Sequence, residues 1–393
     1  MSTTSIAALP LPISKKTFEC LTSLEYRPMP EAPMPQAYRD RIVMRLSAWK
    51  GYYMYFEPDV YTMICIPPTE TSPDGLIISI WARKVVFSNF LCNTGIWWDI
   101  NGKNVSFKNA EQAFKAACVV SHMDPADDTS PNAKLFHQVL ESVMSAKSPL
   151  ECRNATGAIP KELFNAARWD ELSFDAMVQA QLLKCTGDTY YEHMQLHGTM
   201  AEEFGIRRIY FVEAIGDRDM RWGAGVTVQE ATDEVIKHVG DADWLRMGPD
   251  GIVVSPFLGK NLMGAALTKA SETILGKNFE FVNKPIEDYL ARLGTVCPLF
   301  VYTPSDEEAR STGSVAKRAR VMSDEDFARS ASSSPSQEIG IARTGSSASA
   351  PVYVEDNDGE APVTTEDVPD EEGRWSLAGL SQPYDMVFDE KDK

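Results

Sequence analysis

Residues 95–122 read GIWWDINGKNVSFKNAEQAFKAACVVSH, and two local signals meet there. Asn101-Gly102 sits between two runs of strand character. That dipeptide tolerates positive φ at both centres of a two-residue turn, so 95–107 is expected to be a β-hairpin. Asn109 is a good helix N-cap, and Gln112 follows at the spacing of a capping box. Ala110, Ala113, Phe114 and Ala117 then recur at helical spacing, predicting a helix over 109–122 with one apolar face. The stretch therefore delivers Glu111 in the first turn of a helix, at a position fixed relative to a tight hairpin.

Outward from this unit the chain reads mostly as helix. Upstream, LIISIWARKVVF (76–87) is β-branched and aromatic and predicts a strand, while AYRDRIVMRLSAWK (37–50) has helical spacing. The first 35 residues are punctuated by proline and are expected to be irregular. Downstream, 132–146, 175–185 and 190–198 predict helices, the last ending at Gly198 as a C-cap. RRIYFVEAI (207–215) alternates like a half-buried strand. GKNLMGAALTKASETILG (259–276) predicts a helix with Asn261 as N-cap and Gly276 as its stop. The expected fold class is mainly α with small β elements. One domain is expected over 36–300, with an insert at 226–258 of helical spacing that shapes access to the neighbouring loops.

Of 393 residues, 44% are hydrophobic, enough for a substantial core, and the net charge is −18. From Pro304 onward 20 Asp and Glu face 9 Lys and Arg, so that segment carries −11 of the −18. Residues 304–393 are rich in Ser, Pro and acids and are expected to be disordered. Within them GRWSLAGLSQPYDMVFDE reads either as a short segment docking a protein partner or as an accident of composition. AKRAR (316–320) reads either as solvated charge or as a nuclear address. No basic stripe marks a nucleic-acid surface, and no apolar run has the length of a membrane span. The start, MSTTSIAALPLPISKK, lacks a basic region before its apolar residues, so no secretory signal is expected. The 7 scattered cysteines contain no C-x-x-C pair. That argues against a disulfide framework or zinc and for an intracellular compartment, cytoplasmic or nuclear.

A second stretch, EAIGDRDMRWGAG (213–225), sets acids, an aromatic plate and glycines side by side. Taken with Phe87-Ser88-Asn89-Phe90, Asn101-Gly102-Lys103, Ala110-Glu111-Gln112-Ala113-Phe114-Lys115-Ala116, Lys184, Val212-Glu213, Asp219-Met220-Arg221-Trp222-Gly223 and Gly259-Lys260-Asn261-Leu262-Met263-Gly264, it forms a collinear set. This set resembles the NADAR family of YbiA-like proteins over residues 85–276. The resemblance implies a mainly helical domain with a β-hairpin. It also implies an N-glycosidase that cleaves ribose from a nitrogenous base in a phosphorylated ribosyl compound or an ADP-ribosyl adduct. No cofactor or metal is expected. The chain departs from the family at Gln112, where relatives carry His, at Cys185, where they carry Phe, and in the long 226–258 connection.

On this reading Glu111 and Asp219 are the candidate catalytic acids. A carboxylate beside the anomeric carbon stabilises developing positive charge or activates water, and which of the two is the base is left open. Trp222 would stack on the base, and Gly223 and Gly225 would let backbone approach the ligand. Lys184 would supply charge for phosphate, the amides after Asn261 a second phosphate seat, and Lys260 and Asn261 are candidate substrate-binding residues. Asn89 would line the pocket, and Glu213 could face it too. Each residue also has a plainer reading. Glu111 would complement the helix dipole, Asp219 would pair with Arg218 or Arg221, Trp222 would close the core, and Lys184 would be solvated. His193 and His197 lie at i, i+4 but without an acid partner, so metal binding there is not expected.

Overall fold

In the computed structural model the described residues are 9–23, 47–49, 51–57, 61–82, 87–89, 96–100, 103–185, 188–215, 219–241, 244–247, 253–293 and 298–304. The expected disorder of 304–393, its docking segment and the 316–320 cluster thus lie outside the described residues beyond Pro304, as do 37–46 and the Asn101-Gly102 turn.

Five strands form a mixed sheet: β2 (Ser47–Trp49), β3 (Tyr52–Glu57), β4 (Tyr61–Ile66), β5 (Leu76–Trp81) and β8 (Ile209–Glu213). The first four run antiparallel in sequence order, and β8 adds parallel to β5, pairing Ile77 with Ile209 through to Trp81 with Glu213. Every residue of β4 is buried. A strand covered on both faces reads as a continuous apolar run, without the alternation that marks a half-exposed one.

Helix α7 (Val228–Lys237) covers one face, packing Val228, Ala231 and Val235 against Ile64, Ile78, Ile80, Tyr210 and Val212. On the other face Phe87 is the hub of an aromatic cluster, with ring centroids 5.6 Å from Trp81 and 5.2 Å from Phe211. Helix α6 (Asp188–Glu203) adds Tyr190, His193 and His197 to that cluster.

The hairpin of β6 (Ile96–Ile100) and β7 (Lys103–Phe107) closes in the expected register, Ile100 opposite Lys103, and leads into α2 (Ala110–Ser121). Asn109 caps α2 by accepting from the Gln112 amide at 2.8 Å. Gln112 reciprocates one residue earlier than a capping box requires, accepting from the Lys108 amide at 2.7 Å. Around α2 stand α3 (Pro131–Ser145), α4 (Pro149–Gly157), α5 (Ala166–Lys184) and α8 (Leu262–Leu275). With α1 (Lys15–Thr22) and α9 (Ile286–Leu293) there are nine helices among the described residues, so the fold is mainly α with a small mixed sheet.

Several expectations need correction. Residues 11–22 are not irregular. β1 (Leu11–Ile13) pairs parallel with β11 (Phe300–Tyr302), and α1 buries Phe18 and Leu21. Ser47–Trp49 is a strand, not the end of a helix. Gly198 does not stop α6. A Cβ there would lie 2.5 Å from Val282 Cγ2, so the glycine permits close packing within the helix. The 226–258 segment is only partly helical. It adds the short strands β9 (Arg246–Met247) and β10 (Val253–Val254), and α7 spends its apolar face on the sheet.

Candidate functional site

Glu111 is buried, 4% exposed, although it is a carboxylate in a first helical turn. Its Oε1 lies 3.3 Å from Arg153 Nε, reaching over from α4, and 3.7 Å from Lys115 Nζ one turn along α2. Burying a carboxylate without such partners would be prohibitive. Sequence reasoning passed over Arg153, because nothing local marks an arginine 42 residues away; Lys115 fell within a quoted motif but carried no signal of its own.

Ser88 and Asn89 join the helices. The Asn89 carbonyl accepts from the Glu111 amide at 3.3 Å. Its side-chain oxygen accepts from Gln181 Nε2 on α5. The Ser88 carbonyl accepts from Lys184 Nζ, one turn beyond Gln181, at 2.6 Å. Lys184 is therefore buried rather than solvated, and its ammonium also lies 5.4 Å from the Tyr190 ring centre. Burial, then the neighbouring His197 and Lys184, pushes His193 down to about 3, so a neutral imidazole packs near this cation. Burial likewise lowers His197 to about 4. Its ring bonds Ser79 Oγ at 3.0 Å and Tyr61 OH at 3.1 Å, so this histidine is tied into the core.

The loop after β8 answers why acids, aromatic and glycines sit together. Asp219 Oδ1 accepts from the amides of Arg221 (3.1 Å) and Trp222 (2.8 Å), folding the loop on itself. The loop then zips onto the start of α8. The amides of Gly259, Lys260, Asn261, Leu262 and Met263 donate to the carbonyls of Ala224, Met220, Gly223, Arg221 and Trp222, at 2.7–3.1 Å. A Cβ on Gly259 would lie 2.4 Å from Gly223 O, and one on Gly223 would lie 2.3 Å from Ile215 Cγ1. Gly259 thus lets backbone meet backbone, and Gly223 lets the loop pack against the Ile215 side chain.

Two further expectations change with this geometry. Asn261 precedes α8 with φ 51 and ψ 40 and makes no side-chain cap. Its Oδ1 accepts from the Glu213 amide, and its Nδ2 donates to Tyr210 OH and to the Phe211 carbonyl. It clamps helix to strand. The amides of Leu262 and Met263 are taken by loop carbonyls, so they do not form a phosphate seat.

Trp222 is 7% exposed and meets Phe114, three residues after Glu111, edge to face at 5.2 Å. It is a core-facing wall rather than an open plate. Arg221 crosses to α5, bonding Asp170 and Ser173. Met263 reaches back toward Gln181, its Sδ 3.9 Å from Nε2. The structure thus gathers Glu111, Asn89, Lys184 and Trp222 around α2 and α5. It leaves Asp219, half-buried, and Lys260, exposed, on the zipped loop, and Glu213 buried at the end of β8. Gln181 Oε1 and Trp222 Nε1 are buried with no hydrogen-bond partner among the described residues.

Compared with models of protein families, with curated proteins and with solved structures, the chain finds no match. No helix among the described residues is long and apolar enough to cross a membrane.

Proposed function

We propose that this chain is an N-glycosidase acting on a phosphorylated ribosyl or ADP-ribosyl compound, with Glu111 as its catalytic carboxylate. The reading rests on the NADAR-like motif set. The observation that supports it best is the convergence on Ser88-Asn89. One short segment binds the Glu111 amide, the Gln181 side chain and the Lys184 ammonium. Three motif fragments that the sequence scatters over 88–184 share one junction, whose geometry rigid helices fix.

In the proposed reaction a water oxygen bonds to the anomeric carbon as the C–N bond breaks. The bonding pair leaves with the base nitrogen, which takes up a proton. Positive charge develops on the sugar ring, and the Glu111 carboxylate stabilises it or accepts the proton of the water. Lys115 and Arg153 hold that carboxylate in place, and a substrate phosphate would offer the same cations a second anion.

A second reading is favoured by Gln112. Its Nε2 donates to the Val143 and Met144 carbonyls and its Oε1 accepts from Lys108, so the position supplies no acid or base. A chain lacking that partner would bind an ADP-ribose-like ligand without turnover. Incubation of the full chain with ribosyl N-glycosides separates the two. Free base in the chromatogram supports hydrolysis, and saturable binding without free base supports the binding module.

A further inference from the structure

Where β8 begins and the C-terminal half of α8 passes over it, the molecule holds a cleft of about 360 Å³. Its lining is largely apolar and includes Phe174, Leu275 and Phe279, with Leu245 and Val253 from the 226–258 segment. Arg207, Arg208, Lys269 and Lys277 also line it, against a single acid, Glu272. Four cations around one cleft stand out in a chain of net charge −18.

Among the described residues none of these four cations closes an ion pair. Arg208 donates to the Leu245 carbonyl at 3.3 Å, fixing the 226–258 segment as a wall, and Lys277 lies near Glu280. Arg207 and Lys269 are exposed. The cleft is separate from the Glu111 junction. It runs along α8 from Ala265 toward Phe279, whereas the N-terminus of α8 meets the Trp222 loop. The 14-residue helix is about 20 Å long at 1.5 Å per residue.

We infer that this cleft is a second ligand site, taking an amphipathic organic anion: a ring-sized apolar body with a phosphate or carboxylate head. The volume suits a small organic molecule. Apolar walls bury the body, and the arginine and lysine side chains meet the head by charge-assisted hydrogen bonds. The inference gives the 226–258 segment a role, because its Leu245 and Val253 line the cleft.

The test uses the full chain and 1-naphthyl phosphate, with 1-naphthol and inorganic phosphate as partial probes, in titration calorimetry. One saturable site is expected for 1-naphthyl phosphate, at least about tenfold tighter than for either partial probe. The affinity should fall with added salt. The double variant Arg207→Gln, Lys269→Gln changes two exposed residues and should keep the unfolding midpoint while weakening the probe about tenfold or more. Val253→Asp, which puts a negative charge on the apolar lining, should do the same. The inference is overturned by equal binding of 1-naphthol, by the absence of saturation, or by unchanged affinity in both cleft variants.

Discussion

Glu111→Gln keeps the side-chain volume and removes the charge that Arg153 and Lys115 face. Turnover should fall by on the order of 10²–10⁴ while ligand binding stays within a few fold, read from initial rates and from equilibrium titration. Trp222 gives a different readout. A tryptophan at 7% exposure against Phe114 is a packing residue first. Trp222→Ala should lower the unfolding free energy by about 3–5 kcal/mol in urea, whatever it does to ligands. An unchanged midpoint would show that the indole is not part of the core.

At the scale of elements, the junction between the Trp222 loop and α8 depends on Asn261 and the glycines. Asn261→Ala removes three side-chain hydrogen bonds and places alanine at a left-handed backbone position. Unsatisfied buried groups and αL strain together should cost about 3 kcal/mol or more. Asn261→Gly accepts the backbone conformation, so it should recover the strain component only. Equal stability of the two variants would remove backbone strain from this account.

The elements also show what was legible in the sequence. The hairpin, α2 with its Asn109 cap, β8 and α8 could be read because each carries its own local signal: Asn-Gly, a capping residue, alternation, a terminal glycine. β4 could not, because YTMICI is buried on both faces and shows no alternation. Asn89, Glu111, Lys184 and Trp222 could be singled out in the sequence, but what surrounds each of them could not. Asn261 looked like a cap because a cap is local, whereas its partners lie on β8, roughly fifty residues away. Arg153 was invisible for the same reason.

For the whole molecule, the boundary drawn at residue 36 lies too late. Leu11, Phe18 and Leu21 are buried, and Leu11 pairs with Phe300. Removing residues 1–22 should therefore cost several kcal/mol, at about 1.5–3 kcal/mol for each buried apolar side chain. A chain ending at Pro304 should keep the parent unfolding midpoint, because the residues removed are rich in Ser, Pro and acids and show no apolar periodicity in sequence. Limited proteolysis should leave a stable core that begins before residue 11 and ends near residue 300. Acid should weaken the fold through the buried histidines. His193 and His197 titrate near 3 and 4 in the folded chain and near 6.5 when unfolded. Unfolding then takes up protons below pH 6.5, so the stability present above that value is lost as pH falls toward 4. The slope approaches about 1.4 kcal/mol per pH unit for each histidine. Thermal unfolding at pH 7.5, 5.5 and 4.5 should show this decline, and His193→Gln should flatten it.

The central claim is that the junction of Glu111, Asn89, Lys184 and Trp222 hydrolyses a ribosyl C–N bond. The most direct measurement is chromatography of free base after incubating the full chain, and separately Glu111→Gln, with a panel of phosphorylated ribosyl and ADP-ribosyl N-glycosides. The account predicts release of base from at least one compound by the parent chain and its loss in Glu111→Gln with the fold intact. Release that persists undiminished in Glu111→Gln, or no release from any compound by the parent chain, would contradict it.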